Sequence, residues 1–331
     1  MTNTIRNDGG VAVDEVSLGG ESTGELTIDT SGLAPAEPLA DEAIAQDEQF
    51  LDAHDGEKLF YQTWYSEEAP ASKGVVALMH GYGEHSSRYD HVAGALVRAG
   101  YAVGAIDARG HGRSTGKRAH VSDFDDYVRD YDRLVEATAS RWPERPHFAL
   151  GHSNGGLIVL QYALDHPRGV DGFVTTSPFL GFAVEVPAVK AAAGHVLSRI
   201  WPTFSMPNGV DPSVLSHDEH VVEKYERDPL VLKVATGRWF TEARSAQEEL
   251  VERVSEIEAP CLFLVAGSDE LADPARTDEV FHRLGGGDRE MDIYPELKHE
   301  ILNERNWGRI VERMVDWMRR HGPVDSTEEA A

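Results

Sequence analysis

The sequence predicts an α/β fold in which a mostly parallel sheet is flanked by helices and carries an inserted helical cap. Two observations predict this class. Short apolar runs alternate with longer segments of helical periodicity along most of the chain, and one long interval, residues 179–252, contains no clear strand. Alternation of strands and helices is typical of βαβ units, in which parallel strands are buried on both faces.

The predicted strands are short apolar runs rich in Val, Ile, Phe and Tyr and bounded by turn residues. They are KLFYQTWY, VVALMH, YAVGAID, HFALGH, GFVTTS, CLFLVAG and MDIYP. Helices are predicted at the intervening segments SRYDHVAGALVRAG, DFDDYVRDYDRLVEATASRW and GLIVLQYALDHP. In the second of these, the apolar residues recur at helical spacing, which indicates the core-facing side of a helix.

Composition divides the chain into five parts. Residues 1–46 are acidic and lack aromatic residues, so we expect a disordered acidic tail. Residues 47–178 and 253–322 are the first and second parts of the α/β core, and residues 323–331 form a flexible tail. Residues 179–252 form the helical cap, broken by Pro and Gly. An insertion of this size is expected over the carboxyl ends of the strands, where such sheets bind ligands.

Charge and cysteine content limit the classes of partner. The formal net charge of -26 disfavours binding to nucleic acid or to an anionic membrane surface. No stretch resembles a secretory signal or a membrane-spanning segment, so a cytoplasmic protein is expected. The single cysteine, Cys261, lies in an apolar run and is expected to be a buried free thiol, which excludes an intramolecular disulfide and a cysteine-based metal cluster.

The segment GHSNG, residues 151–155, lies where an apolar strand meets a helix, which is the context that the Gly-x-Ser-x-Gly motif requires. Gly151 and Gly155 leave room for a sharp turn that exposes the hydroxyl of Ser153. The same turn places the backbone N–H of Asn154 at the start of a helix, where it can donate to an oxyanion. Ser153 is therefore a candidate nucleophile and Asn154 a candidate oxyanion donor.

A serine nucleophile needs a histidine base and an acid that orients the histidine, and with this motif both follow the serine, the acid first. Asp269 lies directly after one predicted strand, and His299 lies in the loop after the next. The rival acid Asp273 is expected to cap the helix that begins near Pro274. The rival base His282 lies inside a helical segment and is expected on its surface. Asp269 and His299 are therefore the candidate acid and base.

The loop HGYGEH follows an earlier strand and is the expected source of the second oxyanion donor, the backbone N–H of Tyr82. His80 and His85 in this loop lack the helical two-histidine spacing of a zinc protease, so no metal site is expected.

A second Gly-rich segment, DARGHGRSTGKR, follows another strand. Its glycine spacing before Lys117 does not match a phosphate-binding loop, and Arg118 stands where such a loop needs Ser or Thr. Asp107, Arg109 and His111 are expected to hold the loops near the site by hydrogen bonds rather than to act in catalysis.

Five segments, in this order, resemble the α/β-hydrolase family that includes monoacylglycerol lipases and lysophospholipases: HGYGEHSSRY, DARGHGRSTGKRAHVSDFDDYV, GHSNGG, GSDELADP and YPELKHEILNE. The resemblance covers roughly residues 47–320, and VVEKYERDPLVLKVATGRWF is similar to the cap of that family. It implies an α/β-hydrolase fold and a defined set of site residues. These are the triad Ser153, Asp269 and His299, with the backbone N–H groups of Tyr82 and Asn154.

The resemblance implies a serine carboxylic ester hydrolase, most similar to a monoacylglycerol lipase, that cleaves fatty-acyl glycerol esters through an acyl-enzyme without cofactor or metal. A lysophospholipase or a general carboxylesterase with the same triad remains an alternative. A non-catalytic binding protein of this fold is the alternative of another class. The family usually has Met where this chain has Asn154, which keeps the backbone donor but changes the wall of the acyl pocket.

The partner implied by the resemblance is a small acyl ester or lipid, with transient contact to lipid aggregates through the apolar cap. Apolar cap residues are expected either to line an acyl tunnel or to pack the cap onto the core. They are Phe179, Phe182, Val186, Val189, Ile200, Trp201 and Phe204.

Overall fold

The computed structural model describes residues 24–27, 44–183 and 198–322. The strands are β1 (Gly24–Thr27), β2 (Ile44–Asp52), β3 (Lys58–Ser66), β4 (Gly74–Met79), β5 (Tyr101–Ile106), β6 (His147–His152), β7 (Gly172–Thr176), β8 (Ser205–Pro207), β9 (Val234–Thr236), β10 (Cys261–Ala266) and β11 (Arg289–Tyr294). The α-helices are α1 (Asp90–Arg98), α2 (Asp125–Arg141), α3 (Asn154–Asp165), α4 (Glu219–Arg227), α5 (Gly237–Arg253), α6 (Pro274–Arg283) and α7 (Trp307–His321). Short 3-10 helices lie at Ser86–Tyr89, Pro212–Val214, Val254–Glu256 and Ile301–Asn303.

Within the described ranges, nine strands form one sheet in the order β1-β11-β10-β7-β6-β4-β5-β3-β2. The β2–β3 and β3–β5 pairs are antiparallel, whereas all other pairs in this sheet are parallel. Each predicted strand is present, with ends within two residues of the prediction. The sheet is therefore the mostly parallel α/β sheet that the alternation of apolar runs predicts.

Apolar side chains cover both faces of the sheet. On one face, Tyr131 of α2 and Leu157 of α3 belong to a large buried cluster that also includes α5 and α6 residues. On the other face, Leu96 of α1 and Trp317 of α7 belong to a second cluster. Burial on both faces explains why the central strands are continuous apolar runs. The free thiol of Cys261 is buried in the first cluster, as predicted.

The N-terminal strands differ from the prediction of a disordered tail up to residue 46. Strand β2 begins at Ile44 and pairs with β3 over its full length, and β1 pairs in parallel with β11. Most β2 side chains are exposed, including Phe50, which is 54% exposed and packs edge-on against Phe60. This edge strand depends on its backbone ladder rather than on apolar periodicity, so its pattern resembled that of a tail. The rest of the predicted acidic tail and the tail at residues 323–331 lie outside the described residues.

Residues 179–252, named here the cap segment, lie between β7 and β10. The predicted helices are present as α4 and α5, but β8 and β9 form a small antiparallel sheet that the sequence did not indicate. Each of these strands has three residues, which is too short to show a period. Residues 184–197 lie outside the described residues. None of the helices in the described ranges combines the length and the apolar character needed to cross a membrane.

Candidate active site

The turn between β6 and α3 carries Ser153 with φ 53° and ψ -118°. A non-glycine residue pays a conformational cost of about 1–3 kcal/mol in such a region, which is typical of functional sites. The flanking glycines are required by close backbone approach. A Cβ on Gly155 would lie 2.2 Å from the carbonyl oxygen of Met79, and a Cβ on Gly151 would lie 2.3 Å from that of Gly155. The steric reason predicted for these glycines is confirmed.

The structure brings the predicted nucleophile, base and acid into one hydrogen-bonded chain. The Nε2 atom of His299 lies 2.9 Å from Ser153 Oγ, and its Nδ1 atom lies 2.7 Å from Asp269 Oδ2. The other carboxylate oxygen, Asp269 Oδ1, accepts from the backbone N–H groups of Leu271 and Ala272 at 2.8 and 2.9 Å. The carboxylate is held from both sides, so the orientation of the imidazole ring is fixed.

The opposite charges of Asp269 and His299 shift the pKa values of both groups. Burial raises the pKa of Asp269, but the charge and hydrogen bond of His299, with two backbone N–H donors, outweigh burial and leave that pKa below its usual value. Burial lowers the pKa of His299, yet the Asp269 carboxylate outweighs it and leaves the pKa above its usual value. The imidazole is therefore a stronger base than a free histidine.

Glu84 holds the loop after β4 against the Ser153 turn. It accepts from the backbone N–H of Gly81 and from the Tyr89 hydroxyl, both at 2.7 Å, and from Arg88 at 2.6 Å. Burial raises the pKa of Glu84, but the Arg88 charge helps to lower it to about 2. A Cβ on Gly81 would lie 3.2 Å from Ser153 Cβ, so only glycine lets the loop come this close without a shift of its neighbours.

A buried ion cluster, Glu84–Arg88–Glu300, connects this loop to the loop of the candidate base. Arg88 binds both carboxylate oxygens of Glu300 at 2.7 Å, and Glu300 directly follows His299. All three side chains are almost fully buried. The sequence pattern did not indicate this cluster. The available signal was a charged pair, Glu84 and Arg88, inside a loop next to a buried strand.

The predicted oxyanion donors, Tyr82 and Asn154, flank Ser153 and line the same cavity. Asn154 is the first residue of α3. The Tyr82 ring stacks on Trp239 with 3.6 Å between ring centroids, and its hydroxyl donates to the carbonyl oxygen of Val234 at 3.1 Å. The side chain of Tyr82 is thus anchored in the cap segment, and the residue directly follows Gly81, which lies close to Ser153.

A cavity of about 720 Å³ contains Ser153 and His299 in its wall. The rest of the wall is mostly apolar and includes Phe179, Phe182, Leu215, Trp239, Phe240 and Leu271. Phe179 and Phe182 line this cavity and also pack against the first buried cluster, so they occupy both of the positions expected for apolar cap residues. Such a space suits an extended apolar group adjoining a reacting polar one.

Three of the expected tunnel residues, Ile200, Trp201 and Phe204, lie outside the cavity wall. Ile200 and Trp201 are 78% and 58% exposed, so they neither line the cavity nor pack the cap segment onto the core. Phe204 contacts the Trp201 ring at 5.1 Å between centroids and is absent from the cavity wall. Val186 and Val189 lie outside the described residues.

The rival acid and base have the structural positions predicted for them. Asp273 accepts from the backbone N–H of Ala275 at 2.9 Å and caps α6. His282 lies on the exposed side of α6, where its Nδ1 atom contacts the carbonyl oxygen of Asp278. Neither residue lines the cavity.

The Gly-rich loop after β5 is held by hydrogen bonds, as predicted. Asp107 accepts from the backbone N–H and hydroxyl of Ser86 and from the backbone N–H of Arg113. Arg109 binds both carboxylate oxygens of Asp130. His111 contacts the carbonyl oxygen of Arg109 through Nδ1 at 3.0 Å. The structural interpretation of these residues is confirmed.

The parallel sheet, the sharp serine turn and the histidine and aspartate on later loops define a protein of the α/β-hydrolase class. Residues 70–306 match the family described as serine aminopeptidase, S33. The chain belongs to this family and is a serine ester hydrolase.

Similar proteins include several lipases. The monoacylglycerol lipase of Mycolicibacterium smegmatis is 33% identical over 267 residues, which are 80% of this chain and 94% of that one. The monoglyceride lipase of Homo sapiens is 33% identical over 264 residues, covering 78% of this chain and 85% of the human one. The crystal structure of Paleococcus ferrophilus monoacylglycerol lipase gives a TM-score of 0.72 at 33% identity, over 80% of this chain and 99% of that one.

Proposed function

We propose that this protein cleaves fatty-acyl glycerol esters, as a monoacylglycerol lipase does, through an acyl-enzyme on Ser153. The observation that carries the proposal is the 2.9 Å contact between Ser153 Oγ and His299 Nε2 in the wall of a mostly apolar cavity. An ester with a long acyl chain places its carbonyl at the serine and its chain in the cavity. Similarity to monoacylglycerol lipases supports glycerol as the alcohol.

In the acylation step, Ser153 Oγ attacks the ester carbonyl carbon while His299 Nε2 takes the hydroxyl proton. Asp269 accepts from the Nδ1–H group, which fixes the tautomer and stabilises the imidazolium. The oxyanion of the tetrahedral intermediate accepts hydrogen bonds from the backbone N–H groups of Tyr82 and Asn154. His299 then gives its proton to the glycerol oxygen as the carbon–oxygen bond breaks, and glycerol leaves.

In the deacylation step, a water molecule takes the place of the alcohol. His299 removes its proton, the hydroxide oxygen attacks the acyl carbon, and the intermediate collapses with return of the proton to Ser153 Oγ. The fatty acid leaves, and the enzyme is restored. The protein, the ester and one water molecule supply every atom and proton of the two steps, so the proposed reaction requires no cofactor.

Contact with lipid aggregates is part of the proposal. Ile200 and Trp201 are exposed on the cap segment, and Met206 is 46% exposed while also lining the cavity. Exposed apolar side chains on the segment that forms part of the cavity wall suit contact with a lipid surface. The net charge of -26 favours neutral or zwitterionic aggregates over anionic ones. The cytoplasmic location stays a prediction.

The test is a substrate panel for the wild type and Ser153→Ala. It contains monoacylglycerols of increasing chain length, a lysophosphatidylcholine and a short aryl ester. We expect preferred turnover of the glycerol esters and none by the alanine variant. Preference for the lysophospholipid identifies a lysophospholipase, and turnover of the aryl ester alone identifies a general carboxylesterase. A folded protein that hydrolyses none of them is a non-catalytic member of the fold.

A further inference from the structure

The side chain of Asn154 is a buried amide beside the candidate nucleophile. The residue is 3% exposed and lines the cavity next to Ser153. Its Oδ1 atom is enclosed and has no hydrogen-bond partner among the described residues. A buried polar atom without a partner costs about 1–3 kcal/mol, and such atoms in native structures often have a functional reason.

The position of the Asn154 amide limits which part of a bound ester it can contact. The backbone N–H of the same residue is the proposed donor to the ester oxyanion, so the side chain lies within a few bond lengths of the reacting carbonyl. Rotation about the terminal torsion of asparagine interchanges the acceptor and donor ends of the amide at little cost. A hydroxyl group both donates and accepts, so it matches either end. An alkyl chain at this place matches neither.

We propose that the Asn154 amide selects esters that carry a hydroxyl group close to the scissile carbonyl, an inference that rests on the proposed ester hydrolase function. The hydroxyl belongs either to the alcohol, as in a partial glyceride, or to the acyl chain, as in a hydroxyacyl ester. A site that hydrogen-bonds a substrate hydroxyl discriminates against the analogue without it, because the polar group of the site then stays unpaired.

The experiment measures kcat/KM for matched ester pairs at monomeric concentrations. The first pair is 1-mono-octanoylglycerol and propyl octanoate, which differ in the alcohol hydroxyls. The second pair is ethyl 3-hydroxyoctanoate and ethyl octanoate, which differ in the acyl hydroxyl. The readout is the preference for the hydroxylated ester in the wild type and in Asn154→Leu, which is close in size but apolar. The leucine variant retains the backbone N–H of residue 154.

In Asn154→Leu, the kcat/KM ratio of the hydroxylated to the unhydroxylated ester is expected to fall about tenfold in at least one pair. A loss of this size corresponds to one hydrogen bond. A fall in the first pair assigns the alcohol hydroxyl, and a fall in the second assigns the acyl hydroxyl. Asn154→Gln retains the amide and is expected to keep more of the preference than Asn154→Leu. Phe182→Leu changes the cavity wall without removing a polar group, so it is expected to change both members of each pair equally.

Unchanged preference in Asn154→Leu, with both esters still hydrolysed, overturns this inference and leaves the ester hydrolase function standing. An equal loss of preference in Phe182→Leu overturns it too, because cavity shape would then explain the effect. A folded wild-type protein that hydrolyses no member of either pair overturns the proposed function itself, and this inference with it.

Discussion

The strand-end loops of the core and the cap segment face one cavity, but they are held in very different ways. In the core loops, Asp269, His299 and the Glu84–Arg88–Glu300 cluster are buried and joined by short hydrogen bonds. In the cap segment, α4 buries a single residue, Tyr225, and the β8–β9 sheet consists of three residue pairs. The proposed catalytic residues thus lie on the buried, hydrogen-bonded core loops, and the cap segment supplies much of the cavity wall.

The cap segment contacts the core at the loop after β4 as well as through α5, which packs in the first buried cluster. His85 contacts Asp228 at 2.9 Å, and the backbone N–H of Leu232 donates to the carbonyl oxygen of Gly83 at 2.7 Å. The Arg88 guanidinium lies 5.1 Å from the centre of the Tyr225 ring. This loop also carries Tyr82. Substitutions in the core loops should therefore alter catalysis or folding strongly, whereas substitutions on the cap surface should alter substrate handling modestly.

The largest effect is expected for Ser153→Ala. Removal of the proposed nucleophile should lower kcat for mono-octanoylglycerol by about 10⁶-fold, as in other serine hydrolases with this arrangement. Steady-state hydrolysis with circular dichroism of the folded variant checks it. Ser140→Ala, at an exposed position of α2, serves as the control and should keep full activity. Substantial turnover by the Ser153 variant would place the nucleophile elsewhere.

The next effect is that of Asp269→Asn, which should lower kcat about 10⁴-fold because the imidazole loses its orienting acceptor. In the wild type, kcat/KM should fall as the pH drops through the raised pKa of His299, since the protonated ring cannot act as a base. The asparagine variant should show this fall at lower pH, because the carboxylate no longer raises that pKa. A pH profile of residual activity measures the shift.

The matched control for the acid is Asp273→Ala. This change removes the α6 cap and should cost about 0.5–2 kcal/mol of unfolding free energy while activity at low temperature is retained. Loss of activity in folded Asp273→Ala, with activity kept in Asp269→Asn, would reverse the assignment of the acid.

A third, smaller effect is predicted for the ion cluster. Arg88→Met leaves Glu84 and Glu300 buried without their cation, so the free energy of unfolding should fall by about 3–5 kcal/mol. Urea denaturation measures it. Arg129→Met removes an exposed ion pair on α2 and should change the same quantity by less than about 1 kcal/mol. Equal effects of the two substitutions would show that the cluster contributes no more than a surface pair.

The smallest effect is expected on the cap surface. Trp201→Ser should raise KM several-fold for a monoacylglycerol presented in micelles and leave KM for monomeric mono-octanoylglycerol unchanged, because the side chain is exposed and lies away from the cavity wall. The free energy of unfolding should change by less than about 0.5 kcal/mol. A rise of KM for both forms would instead assign Trp201 to substrate binding inside the cavity.

The two regions also differed in how far the sequence predicted them. The central strands were predicted because buried parallel strands are continuous apolar runs. The meeting of Ser153, Asp269 and His299 was predicted because all three residues follow carboxyl ends of these strands, which share one edge of the sheet. Strand β2 was missed because its side chains are mostly exposed. The Arg88–Glu300 pair was missed because 212 positions separate its partners, and no local pattern records such a contact.

The cap segment was predicted only in outline. Helices α4 and α5 follow from local periodicity, but β8 and β9 depend on pairing between segments about 30 positions apart. The predicted positions of Ile200 and Trp201 were also wrong, because both side chains are exposed. In a small appended region, tertiary packing decides whether an apolar residue is buried, and the local sequence does not record that packing. Tertiary contacts, rather than periodicity, decide both features.

The most direct test of the central account, that the buried core loops carry the chemistry, is peptide mapping by mass spectrometry after reaction of the folded protein with a fluorophosphonate. The account predicts one adduct, on Ser153, and none on heat-denatured protein, because the hydroxyl reacts only when His299 lies within hydrogen-bond reach. Absence of an adduct on the folded protein, or an adduct on another residue, would contradict it.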